Sequence, residues 1–432
     1  MQIKHLKVCM FGTGYVGLVS GTCFAEMGHQ VICCDSNKEK ISLLKQGKIP
    51  IYEPGLEEIV LRNVKRKRLS FFTADEVDLS DVDLAVIAVG TPNGADGKTD
   101  ISFVNAVVDF INQRKHPKLT VMVKSTVPLG TCKSIFDKLN KGSNYQIDVV
   151  SNPEFLREGS AVKDFLEPER VVLGFFNKDT GSKLNVLYHK IKNKTTILHT
   201  DCSTSELIKY ASNAFLSAKV AFINEMSHIC EKIDADVEML SMGMGLDSRI
   251  GGKFLSPGPG FGGSCFPKDV RALKSLTDAM QTNNRLISSI EQSNNDWKKI
   301  VASRIMKIAK KHNFNRIHFL GVTYKANTDD VRSSAVIDII DSLKNEFEIS
   351  CYDPEGLKNL EQIFANDITY NSEIYSINNA LIVVATEWKQ FNKIDYRQFQ
   401  DLTEKVIFDL RNIIDYKAAK SAGFKLYRLG QK

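Results

Sequence analysis

One cysteine stands between a run of glycines and prolines and a stretch with helical spacing, in Phe254 to Arg271, FLSPGPGFGGSCFPKDVR. Pro267 suits the first turn of a helix, where a missing N–H costs nothing, and Val270, Ala272 and Leu273 continue at helical intervals. Cys265 therefore falls at a helix N-terminus. The partial positive charge there, with Lys268 three residues on, favours thiolate over thiol and makes the sulfur a nucleophile. Gly258, Gly260, Gly262 and Gly263 allow a substrate or another backbone to come close. The plain alternative is a buried thiol acting as a small hydrophobe, and this stretch by itself does not separate the two.

Other residues could share that chemistry. Lys209 and Asn213 are four apart within a long helical pattern, so they share a face and offer a cation beside an amide. Thr91, Thr126, Glu154 and Glu158 all follow strand-like runs, where hydroxyls can bind a ligand and carboxylates can move protons. Ordinary loop caps and solvated glutamates would look the same.

The elements that position these residues begin at the N-terminus. Leu6 to Phe11 reads as a buried strand, Gly12-Thr13-Gly14-Tyr15-Val16-Gly17 follows it, and a helix is predicted over Val16 to Met27. Gly28 suits the helix end, and Gln30 to Asp35 gives a second strand closed by an acid. This is a βαβ dinucleotide fingerprint: Gly12 for the tight turn, Gly14 for the pyrophosphate and Gly17 for helix–strand packing. Asp35 would take the ribose hydroxyls and repel a 2′-phosphate, favouring NAD over NADP, although Lys40 lies near.

Further strands are predicted at Asp83 to Val89, Leu119 to Lys124, Ile147 to Ser151 and Val171 to Phe175, most economically as a parallel doubly wound sheet. Ser203-Thr204-Ser205-Glu206 reads as a capping box for a long helix from about Thr204 to Lys232. A helical tract with breaks runs from Val270 to Lys311. Strands then return at Ile317 to Val322, Ile349 to Tyr352, Ala380 to Ala385 and Val406 to Asp409, with a helix over Val336 to Leu343. The expected architecture is α/β: two doubly wound Rossmann-like domains, 1–202 and 313–432, joined by a helical middle domain over 203–312.

With 432 residues the chain has material for more than one core. A net charge of +6 is mild, and Lys65-Arg66-Lys67-Arg68 reads as a solvated helix end, so no nucleic-acid partner is expected. Nine cysteines without CxxC spacing and eight histidines without clustering indicate neither disulfides nor a metal site. No apolar run approaches a membrane span, and the cytoplasm is the expected compartment.

These pieces together resemble the UDP-glucose/GDP-mannose dehydrogenase family from end to end. The similarity rests on GTGYVGL at Gly12 to Leu18, GTP at Gly90 to Pro92 and KSTVPLGT at Lys124 to Thr131. It continues through NPEFLREG at Asn152 to Gly159, ELIKYASNAF at Glu206 to Phe215, GFGGSCFPKD at Gly260 to Asp269 and TDDVRSS at Thr328 to Ser334. Ser333-Ser334 stands where the family more usually has Glu-Ser.

The resemblance implies a four-electron oxidation of the sixth carbon of a nucleotide sugar, UDP-glucose by overall similarity, with two NAD and no metal. It implies that Cys265 captures the aldehyde as a thiohemiacetal that becomes a thioester, and that Lys209 and Asn213 stabilise oxyanions. Glu158, Thr126 and Asp269 would handle water and protons. Substrate contacts would come from Glu154, Phe155, Leu156, Arg157 and Glu158, from Phe254, Leu255, Ser256, Pro257 and Gly258, and from Gly262 and Lys325. Val16, Thr91, Lys268 and Arg332 would join the glycine turn around NAD. Arg249 would reach the neighbouring subunit's sugar, implying a homodimer or a larger homo-oligomer.

Three other readings stay open on sequence alone. Related substrates are GDP-mannose and N-acetylated UDP-sugars; a single-step hydroxy-acid dehydrogenase would need neither Cys265 nor the second α/β domain; and a sugar-nucleotide-binding regulator would have lost turnover.

Overall fold

The computed structural model describes residues 5–94, 97–399 and 402–431. The chain divides into two compact units, residues 1–211 and 212–432.

The first unit is built on an eight-stranded sheet: β1 (Lys7–Phe11), β2 (Gln30–Asp35), β3 (Leu69–Thr73), β4 (Leu84–Ile87), β5 (Thr120–Val123), β6 (Asp148–Ser151), β7 (Arg170–Phe175) and β8 (Thr196–Thr200). Their order is β3-β2-β1-β4-β5-β6-β7-β8. Strand alternation divides the core in two. Val8, Met10, Val86 and Val150 enter one apolar cluster, while Cys9, Phe11, Ile87 and Val149 enter the other. The covering helices are α1 (Tyr15–Glu26), α2 (Lys38–Lys45), α3 (Leu56–Lys65), α4 (Ser102–Arg114), α5 (Thr131–Asn140), α6 (Ala161–Leu166) and α7 (Lys178–Leu184).

The pairing corrects the expectation of a wholly parallel sheet, because β7 runs antiparallel to β6, with Ser151 opposite Gly174. A single short helix, α6, lies between β6 and β7, and β8 then returns parallel to β7. Periodicity marks strands but carries no sign for their direction.

Helix α8 (Cys202–Ile233) spans 32 residues, roughly 48 Å, and the division between the units falls inside it. Its start corrects a second expectation. Asp201 caps it, accepting from the Thr204 backbone N–H at 2.8 Å and from the Thr204 hydroxyl at 2.6 Å. Glu206 turns elsewhere, accepting from the N–H groups of Gly130 and Cys132 at the head of α5.

In the second unit, α9 (Val237–Gly245), α10 (Phe266–Ala279) and α11 (Arg285–Lys311) precede a six-stranded parallel sheet. Its strands are β9 (Arg316–Leu320), β10 (Glu348–Tyr352), β11 (Thr369–Tyr370), β12 (Leu381–Val384), β13 (Val406–Asp409) and β14 (Lys425–Arg428), ordered β11-β10-β9-β12-β13-β14. Helices α12 (Ala335–Leu343), α13 (Leu357–Phe364) and α14 (Tyr416–Ser421) complete it. Phe319, Leu381 and Val383 pack on one side of the sheet, Leu320, Ile382 and Val384 on the other. Among the described residues no helix is long and apolar enough to cross a membrane.

Candidate functional site

In the first unit the glycine turn has the form a dinucleotide needs. Gly12 has φ +100°, and a Cβ there would lie 2.6 Å from the Ala88 carbonyl oxygen. A Cβ on Gly17 would lie 2.0 Å from the Gly12 oxygen, so α1 and β1 meet without side chains between them. Gly14, which caps the N-terminus of α1, faces open space: a Cβ there would meet nothing within 4 Å. A crowded floor beneath an open helix N-terminus suits a pyrophosphate.

Asp35, at the end of β2, is already tied to that turn. Its Oδ2 accepts from the Thr13 N–H and hydroxyl, each at 2.8 Å, and its Oδ1 from the Asn37 N–H at 3.0 Å. Partial burial pushes the carboxyl up, but these donors and the Lys40 ammonium 3.7 Å away hold it below the usual range. It therefore presents a negative charge at neutral pH. Val16 is half-buried on the first turn of α1.

At the C-terminal ends of β4 and β5, the buried Thr91 hydroxyl donates to the Thr126 carbonyl at 2.8 Å, joining two of the expected site residues. After β6, Glu154 is buried and accepts from the equally buried Lys209 ammonium at 2.9 Å and from the Leu156 N–H at 2.6 Å. Burial pushes the Glu154 carboxyl up; Lys209, with the Leu156 N–H and the Lys124 charge, more than offsets this and keeps it below its ordinary value. Phe155 lies under the Arg170 guanidinium at 3.9 Å and the Lys209 ammonium at 5.4 Å. A cavity of about 10 Å³ beside this pair is lined by Thr126 and Lys209, about the room one water needs. Arg157 is exposed and pairs with Asp164 at 2.5 Å, while Glu158 is half-buried.

In the second unit, Cys265 is the cap residue of α10, with Pro267 in the first turn and its Sγ 3.6 Å from the Ser264 hydroxyl. It is half-buried, whereas the other eight cysteines are buried. One turn on, Asp269 is 1% exposed and accepts from the Asn213 amide and the Lys268 ammonium, both at 2.6 Å. The carboxylate and the amide thus belong to one arrangement, and the Cys265 carbonyl accepts from the Asp269 N–H at 2.9 Å.

The glycines before Cys265 allow close backbone approach. A Cβ on Gly262 would lie 2.3 Å from the Ser333 oxygen, and Gly263 donates its N–H to the Arg332 carbonyl at 3.1 Å. Phe261 exchanges bonds with the Asn294 amide, at 2.8 and 3.0 Å. The expected substrate segment is anchored likewise. Leu255 accepts from Ser241, the Gly258 N–H donates to Asn224, and its carbonyl accepts from the Trp297 indole at 2.7 Å. Phe254 has φ +63°, Pro257 is buried and Ser256 is exposed. Lys325 lies 5.5 Å from the Tyr324 ring, and the exposed Arg332 guanidinium pairs with Asp330. Arg249 is exposed and pairs with Asp247.

Sequence reading missed four polar groups of these arrangements. Asn224 and Asn294 lie in helical patterns, and their one signal is an amide on a buried stripe. Lys124 is buried and donates to Asn152 at 3.0 Å. Arg411 reaches Gly258, where a Cβ would meet its Nη1 at 2.8 Å.

Three family models match the chain in order. They are the UDP-glucose/GDP-mannose dehydrogenase family NAD binding domain at residues 6–192, its central domain at 203–296 and its UDP binding domain at 318–416. The UDP-glucose 6-dehydrogenase of Rickettsia bellii is 39% identical over 99% of this chain and 100% of its own. That of Rickettsia typhi is 41% identical over the same shares. A solved UDP-glucose dehydrogenase from Pyrobaculum islandicum, 31% identical, superposes with a TM-score of 0.88 over 99% of this chain and 98% of its own.

Proposed function

This chain belongs to the UDP-glucose/GDP-mannose dehydrogenase family, and we propose that it oxidises UDP-glucose to UDP-glucuronate with two NAD per sugar. The observation that carries the reading is the half-buried Cys265 one turn before the buried Asp269, which itself accepts from Asn213. A thiol needed only for packing would not require a buried carboxylate on the next turn. The choice of UDP-glucose among sugar nucleotides is supported by the names of the relatives near 40% identity.

Bound NAD would supply the hydride acceptor for each of the two oxidations. Gly12, Gly14, Val16 and Gly17 would hold its pyrophosphate and Asp35 its ribose, with Lys40, Thr91, Thr126, Glu158, Lys268 and Arg332 around it. In the first oxidation the C6 alcohol loses a proton to the enzyme's acid/base groups and a hydride. The Cys265 sulfur then bonds to the aldehyde carbon as a proton passes to its oxygen, and the thiohemiacetal loses its hydroxyl proton to the acid/base groups together with the second hydride. Water breaks the resulting thioester, restoring the thiol and releasing the carboxylate. We assign to Lys209 and Asn213 the stabilisation of the oxyanions, where each preorganised donor is worth roughly 3 to 4 kcal/mol. Glu158, Asp269 and Thr126 share the handling of water and protons. Glu154 to Arg157, Phe254 to Gly258, Gly262 and Lys325 form the sugar-nucleotide contacts.

We divide the chain by role into an NAD part to residue 202, a helical part over 203–312 and a sugar-nucleotide part from 313, acting in the cytoplasm. A homodimer is supported by Phe215, Phe222 and Ile229, exposed at seven-residue intervals along α8. Arg249 would then serve the neighbouring subunit.

The test supplies NAD with UDP-glucose, GDP-mannose and two N-acetylated UDP-sugars and counts NADH against product. Two NADH per UDP-glucuronate from UDP-glucose is expected. NADH from one of the other sugars alone would overturn the substrate choice.

A further inference from the structure

Three segments of the first unit meet at one carboxylate that none of the expected site residues includes. Glu53, in the loop before α3, is 7% exposed. It accepts from the Tyr15 hydroxyl, from the Gly159 N–H at 2.7 Å and from the Val162 N–H at 3.3 Å. The Tyr15 oxygen also accepts from that Gly159 N–H, at 2.9 Å. Tyr15 is the first residue of α1 and lies inside the glycine turn, between Gly14 and Val16. Gly159 follows Glu158 directly and has φ +78°, so its peptide N–H is fixed by two acceptors in a conformation other residues rarely adopt. Burial and the neighbouring carboxylate push the Tyr15 phenol well above its ordinary value, so it remains a donor.

We propose that Glu53 is a positioning residue that, through Tyr15, couples the dinucleotide turn to the backbone of Glu158. The carboxylate acts through the Tyr15 hydroxyl and the Gly159 N–H. It fixes where α1 begins relative to the Glu158–Gly159 peptide, and seating the cofactor against the turn thereby sets the Glu158 backbone. This rests on the proposed dehydrogenase activity for its kinetic consequence, but its binding consequence does not.

The test compares Glu53→Gln, Tyr15→Phe and the double variant by NAD titration and by turnover with UDP-glucose. Tyr15→Phe removes one oxygen and keeps the ring, which guards against loss of fold. Each single variant should weaken NAD binding several-fold and lower kcat on the order of tenfold, a size consistent with misplacing a reacting group by a fraction of an ångström. The KM for UDP-glucose should stay within about twofold. The double variant should be about as impaired as the worse single one, because both changes break the same link. Unchanged NAD affinity and kcat in the single variants, or multiplying losses in the double variant, would overturn the coupling. If the wild-type protein forms no NADH from any sugar nucleotide, the proposed function fails, and the NAD titrations still decide this inference.

Discussion

Lys124 offers a stability measurement whose sign is unusual for a charged residue. Its side chain is buried at the end of β5, donates to Asn152 and lies 5.5 Å from the Phe165 ring. Burial, with the positive Lys209 adding to it, pushes the ammonium down to about 8, although Glu154 and Cys23 act in the opposite sense. An amine whose folded value lies below its unfolded value binds its proton more tightly in the unfolded chain. It therefore weakens the fold fully at low pH, and the penalty fades as pH rises from the folded value toward the unfolded value. With an unfolded value near 10.4, the penalty is about 3 kcal/mol at pH 7 and about 1 kcal/mol at pH 10. Lys124→Met keeps the length and removes the charge, at a loss of about 1 kcal/mol for the bond to Asn152. The net expectation is stabilisation by about 2 kcal/mol at pH 7, a gap that closes as pH approaches 10. Urea unfolding of the whole protein, followed through the first unit's transition at a series of pH values, measures it. A variant midpoint below wild type at pH 7, or a gap independent of pH, would refute the reasoning.

Asp35→Ala should weaken NAD binding and narrow the proposed preference over NADP, since it removes the proposed ribose acceptor, its repulsion toward a 2′-phosphate and the tie to Thr13; parallel titrations with both dinucleotides measure this. Lys209→Met should lower kcat by on the order of a hundredfold with less effect on the KM for the sugar, because its charge is proposed to act on an oxyanion; a raised KM alone would make it a binding residue. Cys265→Ser should collapse steady turnover while a covalent sugar adduct survives in mass spectrometry, because an ester hydrolyses more slowly than a thioester. Cys265→Ala should lose the adduct, and full turnover in that variant would make the thiol structural.

The parts of the fold readable in the sequence are those that depend on local spacing. The glycine turn, the acid ending β2 and the 32-residue helix follow from residue type and interval, and the structure has them within one or two residues of the expected bounds. The failures have a common physical origin in tertiary partners. Ser203 to Glu206 has the composition of a capping box, yet Asp201 wins the cap because its two oxygens reach both Thr204 donors. That leaves Glu206 to close the head of α5, more than seventy residues away in sequence. The reversal of β7 was hidden because Arg170 to Phe175 has the same apolar run whichever way it points.

The candidate site divides along the same line. Four-residue spacing was enough to set Lys209 and Asn213 on one face of a helix, but it could not tell a buried face from a solvated one. What decides is the partner each finds: Glu154 for the ammonium, Asp269 for the amide. A buried lysine without a carboxylate would face a desolvation cost of several kcal/mol, so the ion pair is the condition under which a cation can be kept out of water there. Glu53 was unreadable for the converse reason. Its partners are the hydroxyl of Tyr15 and the peptide N–H groups of Gly159 and Val162, and backbone donors leave no mark on composition or spacing. Residues that meet a substrate tend to carry distinctive side chains, whereas residues that hold those in place often bind main chain, and only the folded arrangement reveals them.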